Sequence, residues 1–303
     1  MKNELINKHC PICGPDNKYD IVYKENLPHI INKADYSARK APDNYHYEMV
    51  RCKSCKLLYA NSIYHSDTIN QLYEESDLNY ESELSGLKKS YGNCLTIAEK
   101  LVPEKRKILD VGCGNGFVLE EALEHNWKEI FGFELSLNAI SHANVNVRKK
   151  IINTPFSEHK FNNVSFDLIF SAMTMEHFVD VNDFLSVSFK LLKPGGIMLL
   201  IAHNEQHFLS KILMDKHPII NDEHIYVFSV DTLKLILNNH KFNFIETGSL
   251  TNYYSLSYWL KMFPLPNIMK NICRCFLDLF NLSSLNVGIK AGNIYCIAQK
   301  PND

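Results

Sequence analysis

ILDVGCGNGFVLEEAL, residues 108–123, sets an apolar run of strand length directly before Gly112, Gly114 and Gly116, and a helical pattern directly after them. A strand, turn and helix of this kind bring bare backbone close to a ligand, because glycine has no Cβ to hold the ligand off. The spacing is G-x-G-x-G. Pyrophosphate sites use G-x-G-x-x-G, and here Phe117 stands in the last glycine's place, so a ligand without pyrophosphate is favoured. Asp110 lies just before the loop, Cys113 lies inside it, and Glu134 ends the next apolar run, 18 residues after Gly116. A carboxylate there can accept hydrogen bonds from two ribose hydroxyls, each charge-assisted bond contributing about 1.5–3 kcal/mol.

Working outward, short apolar runs alternate with helical patterns. Lys107 to Val111, Ile130 to Phe133, Phe166 to Phe170, Ile197 to Ile201, Phe242 to Ile245 and Ile294 to Ala298 read as buried strands. Strands separated by helices predict a doubly wound α/β sheet over residues 105–303. Lys-Pro-Gly-Gly at 193–196 ends one helix before a strand, and Ser229 is placed to cap the helix carrying Leu233, Ile236 and Leu237. Upstream, Leu84, Leu87, Tyr91, Leu95 and Ala98 share one helical face, which makes 61–104 a helical linker or lid.

The segments ILDVGCGNG, FGFELS, FDLIFSAMTMEHFVD and LLKPGGIMLLIA resemble the successive motifs of class I S-adenosylmethionine-dependent methyltransferases. The resemblance covers about residues 105–300 and implies a Rossmann-like seven-stranded sheet with the cofactor across the carboxyl ends of its strands. By position it puts Asp110 near the amino-acid part of S-adenosylmethionine, Gly112 and Gly114 beneath it, Glu134 on the ribose and Leu135 against adenine. Many members carry an acidic residue after the third strand; this chain has Asn153 and Thr154, whose amide or hydroxyl must substitute. The N-P-P-Y type signature of amino-group methylation is absent after the fourth strand, where Ser171, Ala172 and Met173 stand. Ser171, Met173 and His177 count as cofactor-edge positions, and Glu176 with His177 as structural or cofactor contacts.

Residues 1–60 form a different module, of strands and loops, in which Cys10, Cys13, Cys52 and Cys55 make C-x2-C-x38-C-x2-C. Four thiolates can close a tetrahedron around zinc and leave no open position, so this metal holds structure and does not activate water. A module this small has little core of its own, while structural zinc supplies about 10–16 kcal/mol coupled to folding. Pro11 and Gly14 suit a knuckle turn, and His9 reads as a solvent-facing neighbour. Cys94, Cys113, Cys273, Cys275 and Cys296 read as packing residues. A four-cysteine module ahead of such a core resembles bacterial enzymes acting on sugars, glycans and natural products, including deoxysugar C-methyltransferases.

After the fifth strand, NDEHIYVFS places Glu223, His224 and Tyr226 at the carboxyl edge of the sheet. A hydroxyl or enolisable carbon becomes a nucleophile only if a base removes its proton, and a histidine oriented by a neighbouring carboxylate suits that work. The resemblance to sugar C-methyltransferases points to the same Glu-His pair, so His224, Glu223 and Tyr226 are the catalytic candidates. Between the sixth and seventh strands, about 248–292, lies an insertion with Met269, Ile272, Cys273, Phe276 and Phe280 at helical spacing and Lys270 and Arg274 on another face. It suits a lid, a peripheral membrane contact through about 255–283, or a helix packed on the zinc module or on a second subunit.

The chain has 303 residues, 32 Lys plus Arg against 34 Asp plus Glu, 46% hydrophobic content and no apolar run of transmembrane length. A net charge of −2 gathers no polyanion, which disfavours nucleic acid as partner, and the start of the chain lacks an apolar signal core. A cytoplasmic enzyme methylating carbon or oxygen of a small molecule or glycan precursor is expected. The alternative is an RNA methyltransferase whose zinc module docks RNA, and a third reading is a binding protein that kept the fold without activity.

Overall fold

A computed structural model describes residues 5–28, 36, 43–78, 80–157, 160–161, 165–263 and 265–302. The N-terminal part contains β1 (Leu5–Asn7), β2 (Tyr19–Tyr23), β3 (Met49–Cys52), β4 (Leu58–Ala60) and β5 (Ser62–Tyr64). β2, β3 and β4 form an antiparallel sheet, and β5 returns to pair with β1. Helices α1 (Ser66–Glu74) and α2 (Leu84–Glu99) follow.

The rest of the chain builds β6 (Lys107–Val111), α3 (Phe117–Glu124), β7 (Glu129–Phe133), α4 (Leu137–Ser141), α5 (Val145–Arg148), β8 (Ile151–Ile152), β9 (Phe166–Ala172), α6 (Val181–Leu191) and β10 (Leu192–His203). It continues through α7 (Phe208–Leu213), β11 (Tyr226–Val227), α8 (Val230–Asn239), β12 (Asn243–Ser249), β13 (Asn252–Ser255), α9 (Leu256–Met262), α10 (Asn267–Leu279), β14 (Asn286–Ile289) and β15 (Asn293–Gln299). Seven strands make one sheet in the order β8-β7-β6-β9-β10-β15-β12, with β15 antiparallel to both neighbours. The order reverses between β6 and β9, where an open α/β sheet leaves a crevice at its carboxyl edge.

Burial on both faces explains the continuous apolar runs. Leu109, Ile169, Met198 and Leu200 enter one core; Ile108, Leu168, Phe170 and Leu199 enter the other, as the two-residue period of a strand requires. The second core is covered by α2 and α3. The first is shared with α6, α8 and, through Met49, Val50 and Leu58, the N-terminal sheet. An Ile169→Ala change in the middle of it costs about 2–5 kcal/mol through lost contacts and a cavity.

The Lys-Pro-Gly-Gly segment follows the end of α6, and the β10 register shifts between Leu192 and Ile197, where Gly195 takes a left-handed φ of 74°. Ser229 caps α8 in a reciprocal box with Thr232.

Two joints tie the parts together. β11, directly after His224, is a strand of the N-terminal sheet, with Tyr226 opposite Tyr59 and Val227 opposite Leu58. At the linker, Gly86 of α2 lies so close to β13 that a methyl group there would collide with the Tyr253 carbonyl, while Ser90 Oγ accepts the Tyr253 amide at 2.9 Å. Glu83, just before α2, takes the Ser255 amide and hydroxyl at 2.9 and 2.8 Å, and Ser255 caps α9.

Candidate active site and metal centre

A cavity of about 610 Å³ opens at the crevice. Gly112 and Gly114 take left-handed φ of 76° and 56°, turning the loop after β6 under it. A side chain on Gly114 would collide with the Tyr80 hydroxyl, which contacts the next amide, that of Asn115, at 3.4 Å. Glu134, at the end of β7, braces this loop: its carboxylate accepts the Gly114 amide at 2.8 Å and the Ser136 amide at 2.8 Å.

Asp110 and Glu134 both line the cavity. Burial pushes the Asp110 carboxyl well above its ordinary range, and the nearby Glu134 pushes it further. Burial also raises Glu134, although the amides of Ser136, Gly114 and Leu135 offset part of the effect. Two carboxyls facing one enclosed space favour a positively charged ligand, which relieves both costs. Cys113 and Leu135 line the same end, and Thr154 adds a buried hydroxyl oxygen with no hydrogen-bond partner. An unsatisfied buried hydroxyl facing the cavity fits a polar group such as an adenine amine. The donor set therefore fits S-adenosylmethionine, whose α-ammonium and sulfonium groups are positively charged.

Some candidates have other surroundings. Asn153 does not line the cavity; its side-chain amide donates to the carbonyls of Glu134 and Leu135 at 3.0 and 2.8 Å. Ser171 is buried in β9 and donates to the Val111 carbonyl at 3.1 Å, whereas Met173, with φ of 51°, lines the wall. Tyr226 points away, donating to the Val179 carbonyl at 3.1 Å inside the N-terminal sheet's core.

At the other end of the cavity stand His177, Glu223 and His224. Asn221 accepts the amides of Glu223 and His224 at 3.0 and 2.9 Å, folding the loop so that both residues face inward. His224 Nδ1 lies 2.9 Å from the Ile219 carbonyl, which can only accept. In a neutral ring the proton therefore sits on Nδ1 and the basic lone pair on Nε2. The orienting group for Nδ1 is this carbonyl and not a carboxylate, a correction to the expectation from Glu223.

His177 Nδ1 meets the Tyr73 hydroxyl at 2.7 Å and the Glu223 carbonyl at 3.1 Å, and burial pushes its pKa down to about 4. Its ring lies 4.7 Å from that of His224, and the His203 ring lies 5.0 Å from His224. Behind them Glu176 is fully buried, takes the His203 amide at 2.9 Å, and is pushed up to about 7 by desolvation. Tyr73, Asn221 and His203 escaped the sequence reading. Asn221 carried a signal, as an Asx residue two positions before an acidic one, but Tyr73 reaches the site only through the placement of α1.

The four module cysteines come together on two turns, the first of which is tied to α6 by the Asn182 side-chain amide donating to the Pro11 carbonyl at 3.1 Å. Their sulfurs lie within 4.8 Å of one another, with Cys10 to Cys55 at 3.5 Å and Cys13 to Cys52 at 3.7 Å. Each pair sits on the same turn: the Gly14 amide donates to the Cys10 carbonyl and the Lys56 amide to the Cys52 carbonyl, with φ of 82° and 67°. His9 is exposed. The arrangement fits tetrahedral zinc.

Comparison with known proteins adds to the geometry. A family model described as a methyltransferase domain matches residues 90–247, just over half of the chain. A mitochondrial ubiquinone biosynthesis O-methyltransferase of Dictyostelium discoideum is 27% identical over 198 residues, covering 60% of this chain and 58% of that protein. A tRNA U34 carboxymethyltransferase of Pseudoalteromonas atlantica is 31% identical over 103 residues, 32% of each. The chain thus spans between a third and three-fifths of these relatives. A putative methyltransferase structure from Bacillus halodurans C-125 superposes with a TM-score of 0.50 at 16% identity, covering 70% of this chain and 99% of that one, a likeness of fold. With the glycine loop, the paired carboxyls and the seven-stranded order in place, the chain belongs to the methyltransferase-domain family.

Proposed function

We propose that the protein methylates a carbon or oxygen of a small molecule, a sugar or glycan precursor or a natural-product intermediate, with His224 as the base. The observation that carries this reading is that His224 and Glu223 line the same cavity as Asp110, Gly112 and Glu134. When bound, S-adenosylmethionine supplies a methyl group on a positively charged sulfur. Asp110 would hold the cofactor's amino-acid part and Glu134 the ribose, with Leu135 and Thr154 placed for the adenine.

Across the cavity, Nε2 of His224 accepts the acceptor's proton, while Ile219 fixes the ring through Nδ1. Neutral His177 and the Tyr73 hydroxyl supply polar contacts beside it without adding charge, and Trp259 and Phe263 wall the chamber with apolar surface that excludes water. The O-methyltransferase among the relatives supports oxygen as one of the two acceptor atoms. In the same reading Cys10, Cys13, Cys52 and Cys55 hold one structural zinc.

The test is incubation with methyl-labelled S-adenosylmethionine and panels of nucleotide sugars, phenols and total RNA. Label in a sugar or phenol is the expected result. Label in RNA alone replaces this reading with an RNA methyltransferase.

A further inference from the structure

We infer that the face built by α7, α9 and α10 docks on an anionic lipid bilayer, with the mouth of the reaction cavity at its edge. Of 21 large hydrophobic side chains exposed among the described residues, 12 fall in two short stretches, 208–214 and 263–289. Such clustering marks a surface that another apolar phase covers. On α10, Ile268, Met269, Ile272, Phe276 and Leu279 are 48–76% exposed. At about 100° per residue they span an arc of about 100°, while Lys270 and Arg274 lie on the opposite side of the helix, where Lys270 Nζ donates to the Lys261 carbonyl at 2.8 Å. The helix meets α9 through Cys273 and Leu277; Ile272 and Phe276 border the groove between the two helices, and Ile268, Met269 and Leu279 turn outward beside them. α7 repeats the pattern: Phe208, Ile212 and, just past its end, Met214 are 56–69% exposed, while Leu209 and Leu213 line the reaction cavity. Met262 and Phe263 line it from the α9 side.

Charge selects the occupant. Leaving aside Lys270 and Arg274 on the other side of α10, residues 208–216 and 256–290 carry Lys211, Lys216, Lys261 and Lys290 against Asp215 and Asp278, in a chain whose net charge is −2. A two-fold contact between copies would set this positive excess against itself. An anionic bilayer complements it, each Lys or Arg near the surface adding about fivefold in affinity, and the apolar arc enters the headgroup boundary. Among the described residues no helix is long and apolar enough to cross a membrane, so the contact is interfacial. The consequence for the proposed reaction, on whose reading this part rests, is an amphiphilic acceptor entering between α7 and α9.

The test uses the whole protein and vesicles of phosphatidylcholine, alone or mixed equally with phosphatidylglycerol. Flotation should recover the protein with the mixed vesicles and at least tenfold less with phosphatidylcholine alone or in high salt. Ile272→Glu and, separately, Lys211→Glu with Lys290→Glu, both exposed, should each weaken binding at least tenfold, with S-adenosylmethionine binding unchanged as evidence of folding. Absence of binding to the mixed vesicles, or variants that bind as well as the parent, would overturn the proposal. So would a dimer that Ile272→Glu dissociates in the absence of vesicle binding. A parent that binds vesicles but not S-adenosylmethionine would sink the methyltransferase reading and leave the docking face standing.

Discussion

The Ala60 amide donates to the Ile225 carbonyl at 2.8 Å, and the Ile225 amide donates to the Glu176 carbonyl at 2.9 Å. The residue after His224 is thereby held between the N-terminal sheet and the loop after β9. The cysteine turns grip the same structure, since Cys52 ends β3 and the Cys52–Cys55 turn leads into β4.

The metal should therefore be felt at the active site. Elemental analysis is expected to find about one zinc per chain, and Cys55→Ser should speed amide exchange at residues 58–60 and at 225–227. Turnover should fall while S-adenosylmethionine affinity stays within about threefold, because Asp110 and Glu134 hang from β6 and β7. Unchanged exchange at 225–227 after metal removal would separate the two sites.

Glu134→Ala removes the proposed ribose acceptor and leaves the Gly114 and Ser136 amides without their carboxylate. Calorimetry should show S-adenosylmethionine bound about 1.5–3 kcal/mol more weakly, ten- to a hundredfold. A folded variant with parental affinity would remove Glu134 from the cofactor site.

Glu176 and His177 should give the protein opposed pH dependences. The Glu176 carboxyl, raised by burial from 4.5 to about 7, contributes stability fully present below 4.5 and lost as pH rises through 7, on the order of 3 kcal/mol. His177, lowered by burial from 6.5 to about 4, does the reverse: its contribution is present above 6.5 and lost as pH falls toward 4. Urea titrations from pH 4.5 to 8 should show Glu176→Gln gaining on the parent as pH rises, and falling more steeply than it in acid. Parallel curves for the two proteins would place the ionisation elsewhere.

His224→Ala should lower turnover by about a hundred- to ten-thousandfold with S-adenosylmethionine affinity nearly intact. Single-turnover kinetics on a methylated acceptor identified by label transfer would check it. Retention of most of the turnover would move the base to another group on that wall, His177 being the nearest imidazole.

The residues that announce themselves are those whose role is local. The glycine loop, Glu134 bracing it from the end of β7, the turn within each cysteine pair and the Ser229 cap are each announced by a short sequence signal, although the two cysteine pairs meet only through the fold. Asn153 misled because its amide has two close backbone carbonyls, at 134 and 135, and satisfies itself there. Tyr226 misled because it belongs to a strand only two residues long, too short for any periodicity, whose partner lies in another part of the chain. Tyr73 and the Tyr80 hydroxyl over Gly114 depend on how α1 and the start of α2 lie across the sheet. That is decided by packing over long separations, and no spacing along the chain encodes it.

Gly86 is a poor choice for the interior of a helix, about 1 kcal/mol worse than alanine. Restoring alanine would improve α2 taken alone, yet its methyl would strike the Tyr253 carbonyl and lift β13 away. With β13 goes the Ser90 contact to Tyr253 and, along the same strand, the Glu83 grip on Ser255 that starts α9. Two segments 167 positions apart thus share a single tolerance: what repairs the helix damages β13, and engineering for thermal stability should leave this glycine alone.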